Sequence, residues 1–508
     1  MNKTSHIVKL SLSLCTVVAV AQCRSDSGSG PPTTGGGGMT ANGGGNSSRG
    51  GAAATTIART GGNGGTRPGP KGGTGGIPFD GGLPEVPEEG EWTSCVGDWP
   101  AARALDESPV GVIPKLSLKG RKTHDWVSKT DPVPLEVGGR LAFAVLEPIV
   151  FNEEETDFII GNNPEIGHPF SLVGVNDISF VGSRGRGVAR FTLDATGLTR
   201  NWMYVIRDPI RTGIEYMRTS WHVMSPAKQV FFGAASRLVY ALDAETGALI
   251  WKSGVQTLGY TEEPTVLMGV GDTILVQWSK RRMFAVSTKD GTPRGRFRTN
   301  ETLDVMIDLI SLRHGFIGHT VANENRFIVF FDKCGKETRR IAALPDEVPV
   351  LALSGDRLLT DTFRLQSDAA DAGRILKMDG TEIARHDTTN ETFNPLAEGA
   401  DGTIYSLSCG YGGLGTRMIP KLQALNERME VVQQVELPFL KLPDYDFFYC
   451  PPYYSLLTKA GVLTLANENG TSSTDVIHFQ TGSKGLSSGE WPTRLGDAAN
   501  SLWAKTPK

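Results

Sequence analysis

Two kinds of tight-turn signal recur along this chain at a shared spacing, and that double register restricts the fold more than composition does. From Trp92 onward there is no long helical periodicity, only short runs rich in Val, Ile, Leu, Phe and Tyr separated by Gly, Asn and Asp, the pattern of strands joined by hairpins. The clearest unit reads Val230-Phe231-Phe232-Gly233, a turn, then Leu238-Val239-Tyr240-Ala241-Leu242-Asp243, a second turn closing on Gly247, and finally Leu249-Ile250-Trp251. An early turn falls near Gly139, Asp177, Lys228, Asp272, Gly315, Asp356, Gly402 and Gly461, in steps of 38 to 59 residues. A late turn falls near Glu154, Gly197, Gly247, Gly291, Gly335, Gly380, Met429 and Gly482, in steps of 43 to 53. Both series count eight. A unit of this length with two hairpins is a four-stranded sheet that cannot bury its own faces, and such units become stable when they pack radially into a ring. The expected fold is all-β: a single eight-bladed β-propeller of four-stranded blades, with seven blades as the alternative count.

A ring leaves two sheet edges unpaired unless a strand from one terminus completes the blade at the other. Lys115-Leu116-Ser117-Leu118, with Trp126 just downstream, precedes the first counted blade. It is assigned as the outer strand of the last blade, and Glu490-Trp491-Pro492-Thr493 is expected to cross the closure.

The first ninety or so residues are of another kind. Lys3 and Lys9 precede a twelve-residue apolar stretch at 10–21, too short for the ~20 residues that cross a bilayer and fitting an export signal over residues 1–22. Two processing routes remain open. Ala19-Val20-Ala21 suits ordinary signal cleavage, whereas Val20-Ala21-Gln22-Cys23 resembles the bacterial lipoprotein signal, with Gln22 departing from the usual small residue. The second route puts lipid on Cys23 and is preferred. Residues 23–91 are then a disordered Gly/Ser/Thr/Pro-rich tether, including Gly35-Gly36-Gly37-Gly38; such a segment buries too little apolar surface to fold and spans about 45 Å root-mean-square as a coil. The propeller occupies residues 92–508.

With lipid on Cys23, four cysteines remain after the signal leaves, Cys95, Cys334, Cys409 and Cys450, an even set suited to disulfides in an oxidising compartment. Cys409 with Cys450 is the preferred pair, since the two fall in neighbouring blades, leaving Cys95 with Cys334. The alternative is four reduced, buried thiols.

Ala241, Asp243, Gly247 and Trp251 form the spacing Ala-x-Asp-x-x-x-Gly-x-x-x-Trp, which resembles the tryptophan-docking motif of pyrroloquinoline-quinone-type propellers. Partial copies stand at 193–197 with Trp202, at 331–335 and at 377–380. The resemblance implies that Asp243 bonds turn amides, Gly247 takes positive φ, and Trp251 offers its face to the neighbouring blade. Lipid attachment and this repeat together resemble, in plan, the barrel-assembly propeller lipoprotein of Gram-negative outer membranes, which lacks so long a Gly-rich stalk. What is implied is a fold and an envelope location rather than an activity.

Strings suggestive of chemistry lose their force in context. Quinone-dependent dehydrogenases resemble one another in an adjacent cysteine pair, and this chain has no Cys-Cys and no Cys-x-x-Cys-His. Gly410-Tyr411-Gly412-Gly413-Leu414-Gly415 fits the dinucleotide string, but a strand, not a helix, follows it, so it reads as an interstrand loop. Gly485-Leu486-Ser487-Ser488-Gly489 fits the nucleophile-elbow string yet lies in a Gly/Ser loop. Residues 153–157 make an acidic hairpin tip, and no metal-binding spacing of His or Cys occurs, so neither metal nor other cofactor is expected. Tyr449, Tyr453 and Tyr454, beside Pro451 and Pro452, are the candidate binding aromatics, with packing between blades as the other reading.

With 51 Lys+Arg against 55 Asp+Glu and no long block of one sign, nothing marks a nucleic-acid partner. The expected function is a non-catalytic cell-envelope lipoprotein, a monomeric propeller presented to a protein or glycan at the outer membrane or cell surface. A periplasmic or secreted form is the alternative location. The alternative function is a quinone-dependent dehydrogenase or other enzyme using the central funnel.

Overall fold

The chain parts into two units, Met1–Pro78 and Phe79–Lys508. The computed structural model describes most of the span 116–488 together with Thr493; residues 1–115, 125–133, 161–168, 208–221, 254–263, 298–308, 363–370, 410–418, 439–453 and 494–508, and some shorter loops, lie outside the description. The expected signal peptide, Cys23 and tether therefore fall outside the described residues, as do Cys95, Cys450, Tyr449 and Tyr453.

Every sheet in the described residues has four antiparallel strands, and there are eight such sheets. Blades one to seven cover residues 134–160, 169–205, 223–253, 265–296, 310–342, 347–388 and 394–436, each a meander in chain order. Blade eight takes three strands, Tyr454–Leu457, Val462–Asn469 and Ser473–Gln480, from the far end of the domain and its outermost, Ser117–His124, from the near end. The first strand of every blade neighbours the first strands of both adjacent blades, blade eight touching blade one. The protein is a closed eight-bladed propeller, and its first strands ring the central channel.

The closing strand pairs antiparallel with Ser473–Gln480 from Ser117↔Gln480 to His124↔Thr474. It starts two residues later than the sequence pattern places it and runs six residues further. Its polar side chains fix the register: buried Asp475 accepts hydrogen bonds from Arg121 Nη2 at 2.9 Å and Thr123 Oγ1 at 2.6 Å.

The two turn series follow from backbone geometry. Gly139, Lys228, Asp356, Gly402 and Gly461 in the early series, and Gly247, Gly291, Gly335, Gly380 and Met429 in the late one, all have φ between 54° and 92°, a region in which an L side chain is crowded and a tight reversal is easy. The last member of the late series is corrected. Gly482 follows the final strand and closes no hairpin, because the fourth strand of blade eight arrives from the other end of the domain.

Apolar side chains on both faces of the second and third strands form the core. Phe231, Phe232, Tyr240, Phe316, Phe330, Phe331 and Tyr405 are wholly buried between blades, as near-continuous apolar runs require when a sheet is covered on both faces.

Candidate functional site

One repeated irregularity positions the side chains that join blade to blade. In blades two to eight the fourth strand carries one extra residue opposite the third: Asn201, Ile250, Arg294, Thr338, Ile383, Val432 and Lys119. Such a bulge twists the edge strand and re-aims the residue after it. In blade three that residue is Trp251, directly across from Ala241. Its indole N–H donates to Thr288 O of blade four at 2.7 Å, and its ring covers Gly291, where a β-carbon would lie 2.7 Å from the ring.

The same position does the same work with other side chains. Trp202 Nε1 donates to Ala244 O at 3.0 Å, Arg339 Nη1 to Met378 O at 2.6 Å, and Gln433 Nε2 to Leu116 O at 2.6 Å. Each acceptor lies just before the late turn of the next blade or, at Leu116, just before the closing strand. Gln433 Oε1 also accepts from Leu116 N at 2.7 Å, so the closing strand is held at its start by blade seven as well as along its length by blade eight. Gly295 in blade four replaces the donor with space: a side chain there would collide with Cys334 O of blade five.

The aspartate of the motif acts inside its own turn. Asp243 Oδ1 accepts from Glu245 N at 2.9 Å, Thr246 N at 2.7 Å and Thr246 Oγ1 at 2.9 Å. The bond from Thr246 N is the leading reason its carboxyl is held below the ordinary aspartate range. Asp332 and Asp379 accept turn amides in the same way, from Cys334 N and Lys336 N and from Thr381 N.

Ionisable groups gather in blades six and seven. Glu347, wholly buried, accepts from Arg374 Nε at 2.7 Å and Leu344 N at 2.7 Å, and Arg374 also reaches Glu382. Glu391 accepts from Ser408 Oγ at 2.6 Å and Lys421 Nζ at 2.8 Å, with His386 close enough to act on it electrostatically. Burial would raise the Glu391 carboxyl, but the bonds from Lys421 and Ser408 outweigh it and hold the group low. His386 is held below its ordinary value, chiefly by burial. Glu391 thus ties the segment before blade seven to two of that blade's strands, through Ser408 and Lys421.

The most developed polar site lies on the channel side of blade seven. The first strand there, Asn394–Glu398, pairs with Ile404–Ser408 on one edge. Gly399 N bonds Thr403 O toward that partner, at 2.8 Å, whereas Glu398 O and Ala400 N point the opposite way, toward the channel. That edge is taken by the C-terminal segment: Ser487 N donates to Glu398 O at 2.9 Å, Ala400 N donates to Gly485 O at 2.9 Å, and antiparallel bridges join Gly399 to Leu486 and Ala397 to Thr493. The described part of the tail thus lies along blade seven, one blade back from the expected closure.

Glu398 is the centre of this site. Its side chain is 0 % exposed and accepts from Ser354 N and Ser354 Oγ, both at 2.8 Å, from Arg357 Nη2 at 3.2 Å, and from Ser487 Oγ of the tail. Three donors come from blade six and one from the tail, so a single carboxylate joins three segments. Nearby, burial pushes the Tyr405 hydroxyl up to about 12 beside Thr481 and Ser483. The nucleophile-elbow string holds Ser487 as a donor to a buried carboxylate in a bridged segment, not at a strand-to-helix turn.

Tyr454, the described member of the aromatic cluster, is partly buried at the start of the first strand of blade eight. Cys334 and Cys409 are both disulfide-bonded, in blades five and seven. The dinucleotide-like string falls between the strands Ile404–Ser408 and Lys421–Leu425, a connection within one blade. Among the described residues no group of three or more His, Cys, Asp or Glu is placed to hold a metal ion, and no helix is long and apolar enough to cross a membrane.

No described protein family matches this sequence, and no curated protein is similar to it. Similar solved structures include BamB from Moraxella catarrhalis, 13% identical with a TM-score of 0.32, covering 61% of this chain and 96% of that one. The C-terminal WD40 domain of Sif2 is 11% identical with a TM-score of 0.43, covering 71% and 99%. The computationally designed Ika8 protein is 12% identical with a TM-score of 0.46, covering 71% and 98%. The eight-bladed ring rests on the strand pairing of this chain rather than on those likenesses.

Proposed function

We propose that this chain is a non-catalytic cell-envelope lipoprotein that presents its propeller as a binding scaffold for a protein or glycan. The observation that carries this reading is the use made of polar groups in the described part of the ring. Glu347, Glu391, Glu398 and Asp475 are each neutralised by Arg or Lys in the same or a neighbouring blade, and Ser408 and Ser487 are spent as donors to two of them. A catalytic group needs a proton-transfer partner left available for substrate; these groups are committed to holding blades in place.

Export is supported by the disulfides at Cys334 and Cys409, since such bonds persist in oxidising compartments. Lipid on Cys23 is the anchor this reading assigns, and it takes the repeat motif at Ala241, Asp243, Gly247 and Trp251 as tryptophan docking of the quinoprotein type, a reading supported by the Trp251 indole N–H on Thr288 O and its ring over Gly291. The decisive experiment is crosslinking on intact cells followed by identification of captured proteins. One specific partner, recovered with the wild-type chain and lost when export is blocked, is expected. Recovery of none, together with turnover of a quinone-linked or hydrolysable substrate by the purified chain, overturns the scaffold reading.

A further inference from the structure

We propose that His386 makes the junction between blades six and seven sensitive to protons, so that mildly acidic surroundings loosen this junction while the other described junctions hold. The device acts on the ring itself, whatever the ring binds.

Blade six lacks the docking donor of its neighbours. Where Trp202, Trp251, Arg339 and Gln433 reach the next blade, the residue after the bulge at Ile383 is Ala384, whose side chain has nothing to donate. His386 stands two residues further along the same strand and so on the same face. Its ring hydrogen-bonds the Met429 backbone in the late turn of blade seven. Among these side chains only the imidazole gains or loses a proton between about pH 5 and 8.

The surroundings favour the neutral ring. His386 lies opposite Gly373 in the neighbouring strand, where a β-carbon would stand 2.3 Å from the Phe393 ring and 2.9 Å from Met429 Cε. The Phe393 ring packs on the imidazole with 5.6 Å between centroids and 53° between planes, and Phe393 and Met429 belong to the apolar core between the two blades. The carboxylates that act on the ring are Glu391, from the segment before blade seven, and Asp387 on its own strand. Both are already engaged, Glu391 by Lys421 and Ser408 and Asp387 by Arg385. On the neighbouring strand Arg374 is held by Glu347 and Glu382, Asp371 stands opposite Thr388, and Lys377 is four positions along from Gly373. The late turn of blade seven carries Glu427, Arg428 and Glu430, the last bonded by Asn426. Burial outweighs the attraction that is left and holds the imidazole below its ordinary value. A histidine so depressed stays neutral in the folded ring while the unfolded chain takes up its proton below about pH 6.5. Its contribution to stability is therefore complete above that value and is lost as pH falls toward the folded one. The loss falls first on the outer strand of blade six, which His386 fastens to blade seven, because segments open locally where they are least anchored.

The test is native-state amide exchange on the full chain at about pH 7.5 and about pH 5.5, either side of the imidazole range, corrected for intrinsic rates. Protection over Glu382–Thr388 is expected to fall at least fivefold, against less than twofold over Leu249–Ser253, which Trp251 joins to blade four. His386→Gln keeps an N–H donor and cannot titrate, and it is expected to abolish the fall. Should that variant fail to fold, His386→Phe, which keeps a ring against Phe393, is measured with the same expectation. In wild type, the imidazole signal that the variant lacks is expected to titrate below the ordinary histidine value. Equal falls over the two strands, a fall that survives in the variant, or a His386 ring titrating at or above about 6.5 would overturn the proposal.

Discussion

At Trp251 one side chain meets the next blade twice, through its face over Gly291 and through its indole N–H on Thr288 O. Trp251→Ala is therefore expected to cost about 3–5 kcal/mol, as large aromatic truncations in cores do, and Trp251→Phe about 1 kcal/mol, the net contribution of one hydrogen bond; urea unfolding measures both. No cost for Trp251→Phe would mean that the indole N–H contributes nothing. Gly247 is constrained from both directions, with φ at 73° and Trp202 at 2.6 Å from the place of a β-carbon, so Gly247→Ala is expected to destabilise by about 1–3 kcal/mol. Asp243 and Asp379 are held low chiefly by turn amides, those of Thr246 and Thr381. A carboxyl depressed in the folded state contributes stability above its unfolded value that is lost as pH falls toward its folded one. Thermal stability is thus expected to decline below about pH 4, where unfolded aspartates begin to take up protons, and Asp243→Asn, which keeps an acceptor but no titration, is expected to flatten that decline. An unchanged acid limb would show that the turn carboxylate carries no linkage.

The hairpins are legible from residue type alone because left-handed turns admit few residues: Gly247, Gly291, Gly335 and Gly380 stand in sequence where the backbone needs positive φ. Lys228, Asp356 and Met429 take the same conformation without glycine, and only the spacing of their neighbours marks them. Gly482 shows the converse, a well-spaced glycine with no hairpin, because spacing cannot say where the fourth strand comes from. The donor position after the bulge is visible only as tryptophan. Trp, Arg and Gln share an N–H and little else, so Arg339 and Gln433 do not register in a search for a motif. The Glu398 site is illegible in sequence because its partners, Ser354 and Ser487, lie 44 and 89 residues away. Closure of the ring is testable at this same scale. Asp475 is almost wholly buried and holds Arg121 and Thr123, so Asp475→Ala, which takes the carboxylate away from both, is expected to cost up to about 3 kcal/mol. Limited proteolysis should then cut first between the closing strand and blade one; cleavage at the wild-type rate and sites would show that the pair does not fasten the ring.

For the whole molecule, closure joins residues some 350 positions apart in sequence, so the ring assembles only when both ends of the domain are present. Such long-range pairing makes folding slow and leaves edges exposed until it is complete, and Cys334 and Cys409 are both disulfide-bonded within the ring. Mapping under non-reducing conditions is expected to link the Cys409 peptide to Cys450 and the Cys334 peptide to Cys95, and any other pairing refutes the assignment. Cys23→Ser is expected to abolish detergent-phase partition; unchanged partition would exclude lipid as the anchor. The central claim, that one strand from the near end of the domain completes the last blade, is tested most directly by native-state amide hydrogen exchange over Ser117–His124 and its partner Ser473–Gln480. The hydrogen-bonded amides of both strands are expected to exchange with a common free energy, as parts of one cooperative sheet. Amides of 117–124 exchanging at the rate of an unfolded chain, while those of 473–480 stay protected, would contradict it.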